Sequence, residues 1–175
     1  MLISITGTPG TGKTELGREL ERRGRNVIFL SEFIEKNNLL EDFDEEMDSY
    51  DVDTDELNVA LKEHRDSDSI YYLEGHLSHF VDTSKVIVLR CSPEVLAKRL
   101  RERGYPDNKV MENVHAEILD VILCEASTTE TSVYELDSTS HTSGELADLV
   151  LEIEEGTDGH RPGNTDWTGE MDKWF

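Results

Sequence analysis

Gly7-Thr8-Pro9-Gly10-Thr11-Gly12-Lys13-Thr14 follows the apolar run 2–6 directly and opens a helical pattern, so a glycine loop stands between a strand and a helix. In that setting the glycines let successive backbone N–H groups turn onto a phosphate. The lysine reaches the outer phosphates, and the threonine hydroxyl ligates Mg²⁺. The positive end of the following helix adds to the attraction. A plain glycine turn between strand and helix is the alternative, and eight matched positions in the right context argue against it. Gly7, Thr8, Pro9, Gly10, Thr11, Gly12, Lys13 and Thr14 are therefore assigned to nucleotide phosphate binding.

Outward from the loop, residues 14–23 read as a helix with Leu16 and Leu20 on one face and Gly24 as its stop. The run 26–30 is continuously apolar, which predicts a strand buried on both faces as in a parallel sheet. Ser31 then caps a short helix to residue 38. Alternation of strand and helix is the mark of a doubly wound sheet.

Residues 41–56 carry ten carboxylates and no cation, so they read as a solvated acidic loop anchored by Phe43, Met47, Tyr50 and Val52. The alternating Asp51, Asp53 and Asp55 do not make an EF-hand, because the glycine required at the sixth loop position is missing. Helical character resumes over 55–65. Residues 69–74 form a strand ending in Glu74, followed by Gly75-His76-Leu77-Ser78-His79-Phe80. Ligands of such sheets lie beyond the carboxyl ends of the strands, where Glu74, His76 and His79 project.

A buried strand over 85–90 leads to Ser92-Pro93-Glu94, an N-cap followed by proline and an acid in the first turn of a helix that Gly104 ends. Val110, Val114, Ile118, Val121 and Ile122 predict one amphipathic helix over 108–126. Residues 133–137 form a fifth strand, and Thr142 with Glu145 forms the capping box of a last helix to 155. The tail 156–175 is polar but holds Trp167, Trp174 and Phe175, which predicts partial docking. The expected architecture is a three-layer α/β/α fold over 1–155 around a five-stranded parallel sheet.

The formal charge of −22 excludes generic binding of nucleic acid, since a polyanion is repelled over most of such a surface. The same acid excess reads as adaptation to high salt, where screening relieves self-repulsion. Cys91 and Cys124 form no CxxC pair and read as small buried thiols of a reduced protein. With no run of 18 apolar residues and no leader ahead of the first strand, the expectation is a soluble, cytoplasmic protein with no membrane contact.

Eleven of the seventeen cations fall within 13–25 and 90–109, a clustering that asks for an anionic ligand. Arg99 and Arg103 are four apart on one helix face, immediately before a glycine-containing turn. A short lid closing onto a polyphosphate uses that arrangement. Phosphoryl transfer needs charge neutralisation and in-line positioning, so no side-chain nucleophile is required. Glu74 is assigned to a magnesium-bound water beside Thr14, the direct ligand.

The glycine loop, Asp42-Phe-Asp-Glu-Glu46, Glu74-Gly-His76, Val88-Leu-Arg-Cys-Ser-Pro-Glu-Val-Leu, Arg99-Leu-Arg-Glu-Arg-Gly-Tyr105 and Glu112-Asn113 together resemble the adenylate kinase isoenzyme six family over residues 1–155. The tail is outside that resemblance or loosely similar. The resemblance implies a nucleoside-monophosphate-kinase fold with strand order 2-3-1-4-5, an AMP arm at 31–66 and a lid at 103–109. It implies Mg²⁺-dependent conversion of ATP and AMP to two ADP, slow ATP hydrolysis, and a role in small-ribosomal-subunit maturation through a small-subunit ribosomal protein. By position, Arg99 resembles the arginine over the adenine of ATP and Arg103 the one that meets its phosphates. Ser138, Thr139 and Ser140 line the adenine through backbone groups, while Ser31 to Lys36 with Gly75 form the AMP side, beside His76 and His79. Two departures bear on the acceptor. Longer adenylate kinases read Asp-Gly-Phe-Pro-Arg where this chain has Glu74-Gly75-His76-Leu77-Ser78, and Glu35 and Lys36 stand where the AMP arm often carries arginine.

Three functions compete on these residues: an adenylate kinase, a nucleotide-switched assembly ATPase with little kinase activity, and a kinase of another small acceptor.

Overall fold

The computed structural model describes residues 1–40, 43–44, 49–50 and 52–175. Strand β1 (Leu2–Gly7) is buried along its whole length, with Ile3 and Ile5 on one face and Leu2, Ser4 and Thr6 on the other. A strand covered on both faces belongs in the middle of a sheet. The others are β2 (Asn26–Phe29), β3 (Tyr71–Glu74), β4 (Lys85–Arg90) and β5 (Ser132–Asp137). All pair in parallel, in the order β2-β3-β1-β4-β5 expected from the resemblance.

On the Ile3 face, α1 (Lys13–Arg22) supplies Leu16 and Leu20, and α8 (Ser143–Glu154) supplies Leu146, Val150 and Ile153. On the other face, α2 (Leu30–Lys36), α3 (Thr54–Ala60) and Leu61, at the junction of α3 with α4 (Lys62–Arg65), gather around Leu2 and Leu73, while α7 (Val121–Ala126) covers Val86 and Val88. These are the three layers. Truncating a fully buried leucine such as Leu16 to alanine costs about 2–5 kcal/mol in a core of this kind.

Several elements depart from the expected ones. The run at 26–30 is an edge strand, so Val27 and Ile28 are only half-buried and Asn26 is exposed. Its ladder stops at Phe29, opposite Glu74, and the chain turns there into α2. Ser31 therefore lies inside the first turn and caps nothing; the cap position falls on Phe29. The helix expected over 55–65 is two, α3 and α4, and Asp53 caps the first by accepting from the backbone N–H groups of Asp55 (2.7 Å) and Glu56 (3.2 Å). Ser92 precedes α5 (Pro93–Glu102) without a side-chain cap.

The single helix expected over 108–126 is broken into α6 (Asp107–Ile118) and α7. Asp120, at φ 54°, makes the break; aspartate tolerates the left-handed region better than most residues, and its carboxylate is drawn onto Arg90. The capping box at Thr142 forms as expected, with Thr142 accepting from the Glu145 N–H at 3.2 Å and Glu145 accepting from the Thr142 N–H at 2.8 Å. Cys91 is buried, whereas Cys124 is exposed because it lies on the outer side of α7. Of the acidic loop 41–56, most lies outside the described residues; Val52 packs against the α2–α3 cluster.

The tail docks. Trp167, Met171 and Trp174, the last two on α9 (Met171–Trp174), pack against the Leu96, Leu100, Val110 and Val114 cluster of α5 and α6. Phe175 stacks on His115 with ring centroids 4.0 Å apart. Among the described residues no helix is long and apolar enough to cross a membrane.

Candidate functional site

Parallel pairing brings the carboxyl ends of all five strands to one edge, with Ile5 and Phe29 level with Glu74, Gly7 level with Leu89, and Arg90 level with Asp137. The loop after β1 opens at that edge. Gly7 must be glycine: its φ is 143°, and a Cβ there would stand 2.4 Å from the carbonyl oxygen of Leu89. Gly12, at φ 100°, ends the loop and precedes α1 without a side-chain cap, so the first N–H groups of that helix face the loop.

Lys13 lies back across the loop and donates to the carbonyls of Gly7 (2.8 Å) and Thr8 (3.0 Å). Burial lowers its pKa to about 8, with the charges of Glu74 and Glu117 acting in the opposite direction. Thr14 Oγ1 is 3.4 Å from Glu74 Oε1, so the two residues assigned to magnesium are neighbours in space. Burial raises the Glu74 carboxyl above its ordinary value, and the Lys13 charge partly offsets this. A hydroxyl and a carboxylate side by side next to a phosphate loop suit Mg²⁺, a hard cation that takes oxygen donors and keeps several waters.

A cleft of about 370 Å³ opens on the other side of the loop, lined by Gly10, Thr11, Gly12, Arg99, Arg103 and Ser138 among others. Arg99 is half-buried and held in place: Nη2 donates to Ser138 O (3.1 Å), and Nη1 lies 3.4 Å from Ser138 Oγ and 3.5 Å from Thr11 O. Ser138 Oγ in turn lies 2.6 Å from Thr11 O and 2.8 Å from Arg90 O, its one proton shared between the two carbonyls, which ties the end of β5 to the loop. Arg103 is looser, 46% exposed and 4.0 Å from Glu15.

Thr139 is not among the residues lining the cleft. Its hydroxyl accepts from the Ser92 N–H (2.9 Å) and donates to Asp137 (2.5 Å), which makes it a local brace. His141, Ser143 and Leu146, around the start of α8, line the cleft as well.

On the Glu74 side, Gly75 packs so tightly that a Cβ would lie 2.7 Å from Leu30 Cβ, which sets Ser31 beside the loop after β3. Lys36 is further along α2, on its exposed last turn. His76 has an exposed ring, and its carbonyl accepts from Thr6 Oγ1 at 3.1 Å. His79 is buried under β1, with Nδ1 2.9 Å from Thr6 Oγ1 and Nε2 3.1 Å from Glu125; burial lowers its pKa, although Glu125 works against this. Thr6 Oγ1 thus stands between the His76 carbonyl and the buried His79 ring. Ser78, aligned with the acceptor arginine of longer enzymes, is buried and bonded to Ser4 Oγ (2.7 Å) and to the Gly75 carbonyl (2.8 Å).

A buried charge cluster beneath the loop was not foreseen. Thr8 Oγ1 donates to Glu117 Oε2 at 2.5 Å. Glu117 Oε1 accepts from Arg90 Nε (2.8 Å) and from the Cys91 N–H (3.1 Å). Arg90 also donates to Glu135 (2.6 Å), to the Glu117 carbonyl (3.1 Å) and to Asp120. Burial works against the Arg90 charge, but the Glu117, Asp120 and Glu135 carboxylates outweigh it and raise its pKa above the ordinary value. The signal was there to read: Glu117 falls between Val114 and Ile118 on the apolar stripe of α6, and Glu135 interrupts an apolar strand.

Fold and loop together define a small P-loop kinase architecture, and solved structures bear this out. Shikimate kinase from Acinetobacter baumannii superposes with a TM-score of 0.58 at 16% identity, over 90% of this chain and 94% of that one. Deoxyadenosine kinase from M. mycoides gives a TM-score of 0.55 at 14% identity, over 89% and 98%. At such identities the likeness speaks for the fold alone.

The family model described as "AAA domain" matches residues 3–120. A protein of Methanocaldococcus jannaschii named "Putative adenylate kinase" is 41% identical over 176 residues, covering 100% of this chain and 96% of its own length. One of the same name from Natronomonas pharaonis is 39% identical over 173 residues, 98% of this chain and 100% of its own. This chain belongs to the AAA domain family and, within it, to the archaeal family that carries that name. The similarity runs through the tail as well as the residues before it.

Proposed function

We propose that the chain is a Mg²⁺-dependent adenylate kinase that converts ATP and AMP to two ADP. The observation that carries this reading is the contact between Thr14 and Glu74 beside Lys13, with the Arg99–Ser138 cleft on the opposite side of the same loop. In this reading the cleft takes the base and ribose of ATP, and the loop N–H groups and Lys13 take its phosphates. Thr14, with Glu74 through a water, would hold the metal, which would supply charge neutralisation to the polyphosphate. Arg103, long and loosely held, supplies positive charge to the transferring group. AMP lies across the edge between the Ser31 and Gly75 segments, bringing its phosphate toward Glu74 and Lys13. The name carried by the archaeal relatives supports both phosphoryl transfer and AMP as its acceptor.

The test is ADP formation from MgATP with and without AMP. Stimulation by AMP, with AMP consumed in step, is the expected result; hydrolysis that AMP does not change would overturn it.

A second reading is favoured by Ser78. Its hydroxyl is locked inside the fold where longer enzymes hold an arginine to the acceptor phosphate. Weak acceptor binding suits slow ATP hydrolysis coupled to a protein contact. A basic small-subunit ribosomal protein complements a chain of charge −22, and the setting would be the cytoplasm. Pull-down of small-subunit proteins in ATP and ADP tests this; recovery of none in either state would sink it.

A further inference from the structure

Glu117 is of the wrong sign for its place. It is 3% exposed, and it bonds directly to Thr8, a residue of the loop that receives a polyanion. A carboxylate there repels the ligand unless its charge is spent elsewhere. Arg90 spends it: Nε meets the oxygen that Thr8 leaves free, and the remaining guanidinium nitrogens are taken by Glu135, Asp120 and the Glu117 carbonyl. Both Glu117 oxygens are occupied, with Thr8 on one and Arg90 and the Cys91 N–H on the other. The side chain therefore has a fixed position and a fixed direction.

We propose that Glu117 is a positioning residue for the phosphate loop: anchored by Arg90, it holds the Thr8 hydroxyl and so fixes the loop in its phosphate-receiving shape. The Thr8 carbonyl is held from within the loop as well. It accepts from Lys13 at 3.0 Å and from Thr11 Oγ1 at 2.9 Å, so the clamp on the Thr8 side chain also sets the groups that seat Lys13. The cluster reaches further. The second Glu135 oxygen accepts from the backbone N–H groups of Gly163 (2.9 Å) and Asn164 (3.1 Å), which makes the docked tail the outer wall of the arrangement that steadies the loop. A loop already shaped for its ligand loses less freedom on binding, and the gain appears in affinity. This inference rests on the reading of the loop as an ATP site.

The test is equilibrium binding of MgATP by calorimetry, which does not depend on what accepts the phosphoryl group. Thr8→Val keeps the shape and removes the hydroxyl; the expected result is roughly tenfold weaker binding with a melting temperature within a few degrees of the parent. Thr8→Ser restores a hydroxyl and should recover the affinity to within about twofold. Glu117→Gln has a single acceptor oxygen, which Arg90 Nε and the Cys91 N–H claim, so it loses the charged acceptor for Thr8 and should also weaken binding; Thr8→Val/Glu117→Gln should then bind no worse than the weaker-binding single variant, because both remove the same charge-assisted bond. Thr8→Val with parental affinity, or a double variant whose losses add, would overturn the proposal. Failure of the parent protein to bind MgATP would instead overturn the reading of the site. Should Glu117→Gln fail to fold, the Thr8→Val and Thr8→Ser pair still decides.

Discussion

Thr14 Oγ1 and Glu74 Oε1 lie 3.4 Å apart although 60 positions separate them in the chain. The parallel register that sets Ile5 against Glu74 makes the meeting unavoidable. Glu74→Gln keeps the shape and removes the charge that would hold a magnesium-bound water. The Mg²⁺ concentration giving half-maximal ADP formation is expected to rise about tenfold, as for loss of an outer-shell partner. A Mg²⁺ titration of the variant that overlays that of the parent would rule out this role.

Lys13 supplies a pH signature. In the free protein its pKa is lowered to about 8, so binding MgATP above that pH requires the amine to take up a proton. The dissociation constant is expected to rise with pH above about 8, by up to tenfold per unit, and to be flat below it. Calorimetry in a buffer series checks this. Stability runs the other way: the unfolded lysine keeps the ordinary value of 10.5, so between about 8 and 10.5 the unfolded chain binds more protons and this group makes folding more favourable as pH rises.

Arg99 and Arg103 should separate kinetically. Arg99 is bonded to Ser138 and sits at the cleft wall, so Arg99→Ala is expected to raise KM for ATP more than it lowers kcat. Arg103 is loosely paired, and Arg103→Ala should lower kcat by about 10³ with a smaller change in KM. Steady-state kinetics on both variants decides, and identical KM and kcat effects would refute the division of labour.

Trp167 tests the docked tail. Its half-buried ring packs on the α5–α6 cluster, and Trp167→Ala should cost about 2 kcal/mol, below the range for a fully buried tryptophan. Denaturant unfolding measures it. A change under about 0.5 kcal/mol would mean that the tail contributes nothing to the fold.

The sheet was legible because β1, β4 and the loop carry unambiguous local signals: continuous apolar runs, glycines and a lysine-threonine pair in fixed order. The place of the loop at the carboxyl edge of the sheet followed from that. The breaks were not legible, because Asp120 leaves its helix to reach Arg90, a partner thirty residues away that no local pattern announces. For the same reason Arg90 passed as the end of a strand and Glu117 as part of a stripe. The brace at Thr139 was not legible either: its hydroxyl answers to Ser92 and Asp137, contacts that exist only once β4 and β5 are side by side. His79 looked like a companion of His76, yet the short helical turn Ser78–Phe80 carries it beneath the sheet.

Gly7 and Lys13 are members of one motif but answer to different masters. The glycine is demanded by the Leu89 carbonyl 2.4 Å from where a Cβ would stand, a requirement of the sheet that holds with or without a nucleotide. The lysine carries a desolvation cost that its two carbonyl bonds and the nearby carboxylates offset only in part, leaving its pKa lowered. Were the loop to take no anionic ligand, selection on folding would preserve the glycine while the lysine drifted toward a neutral side chain. Loss of function in this lineage would therefore be read first at position 13, long after the loop had ceased to bind and while it still looked intact.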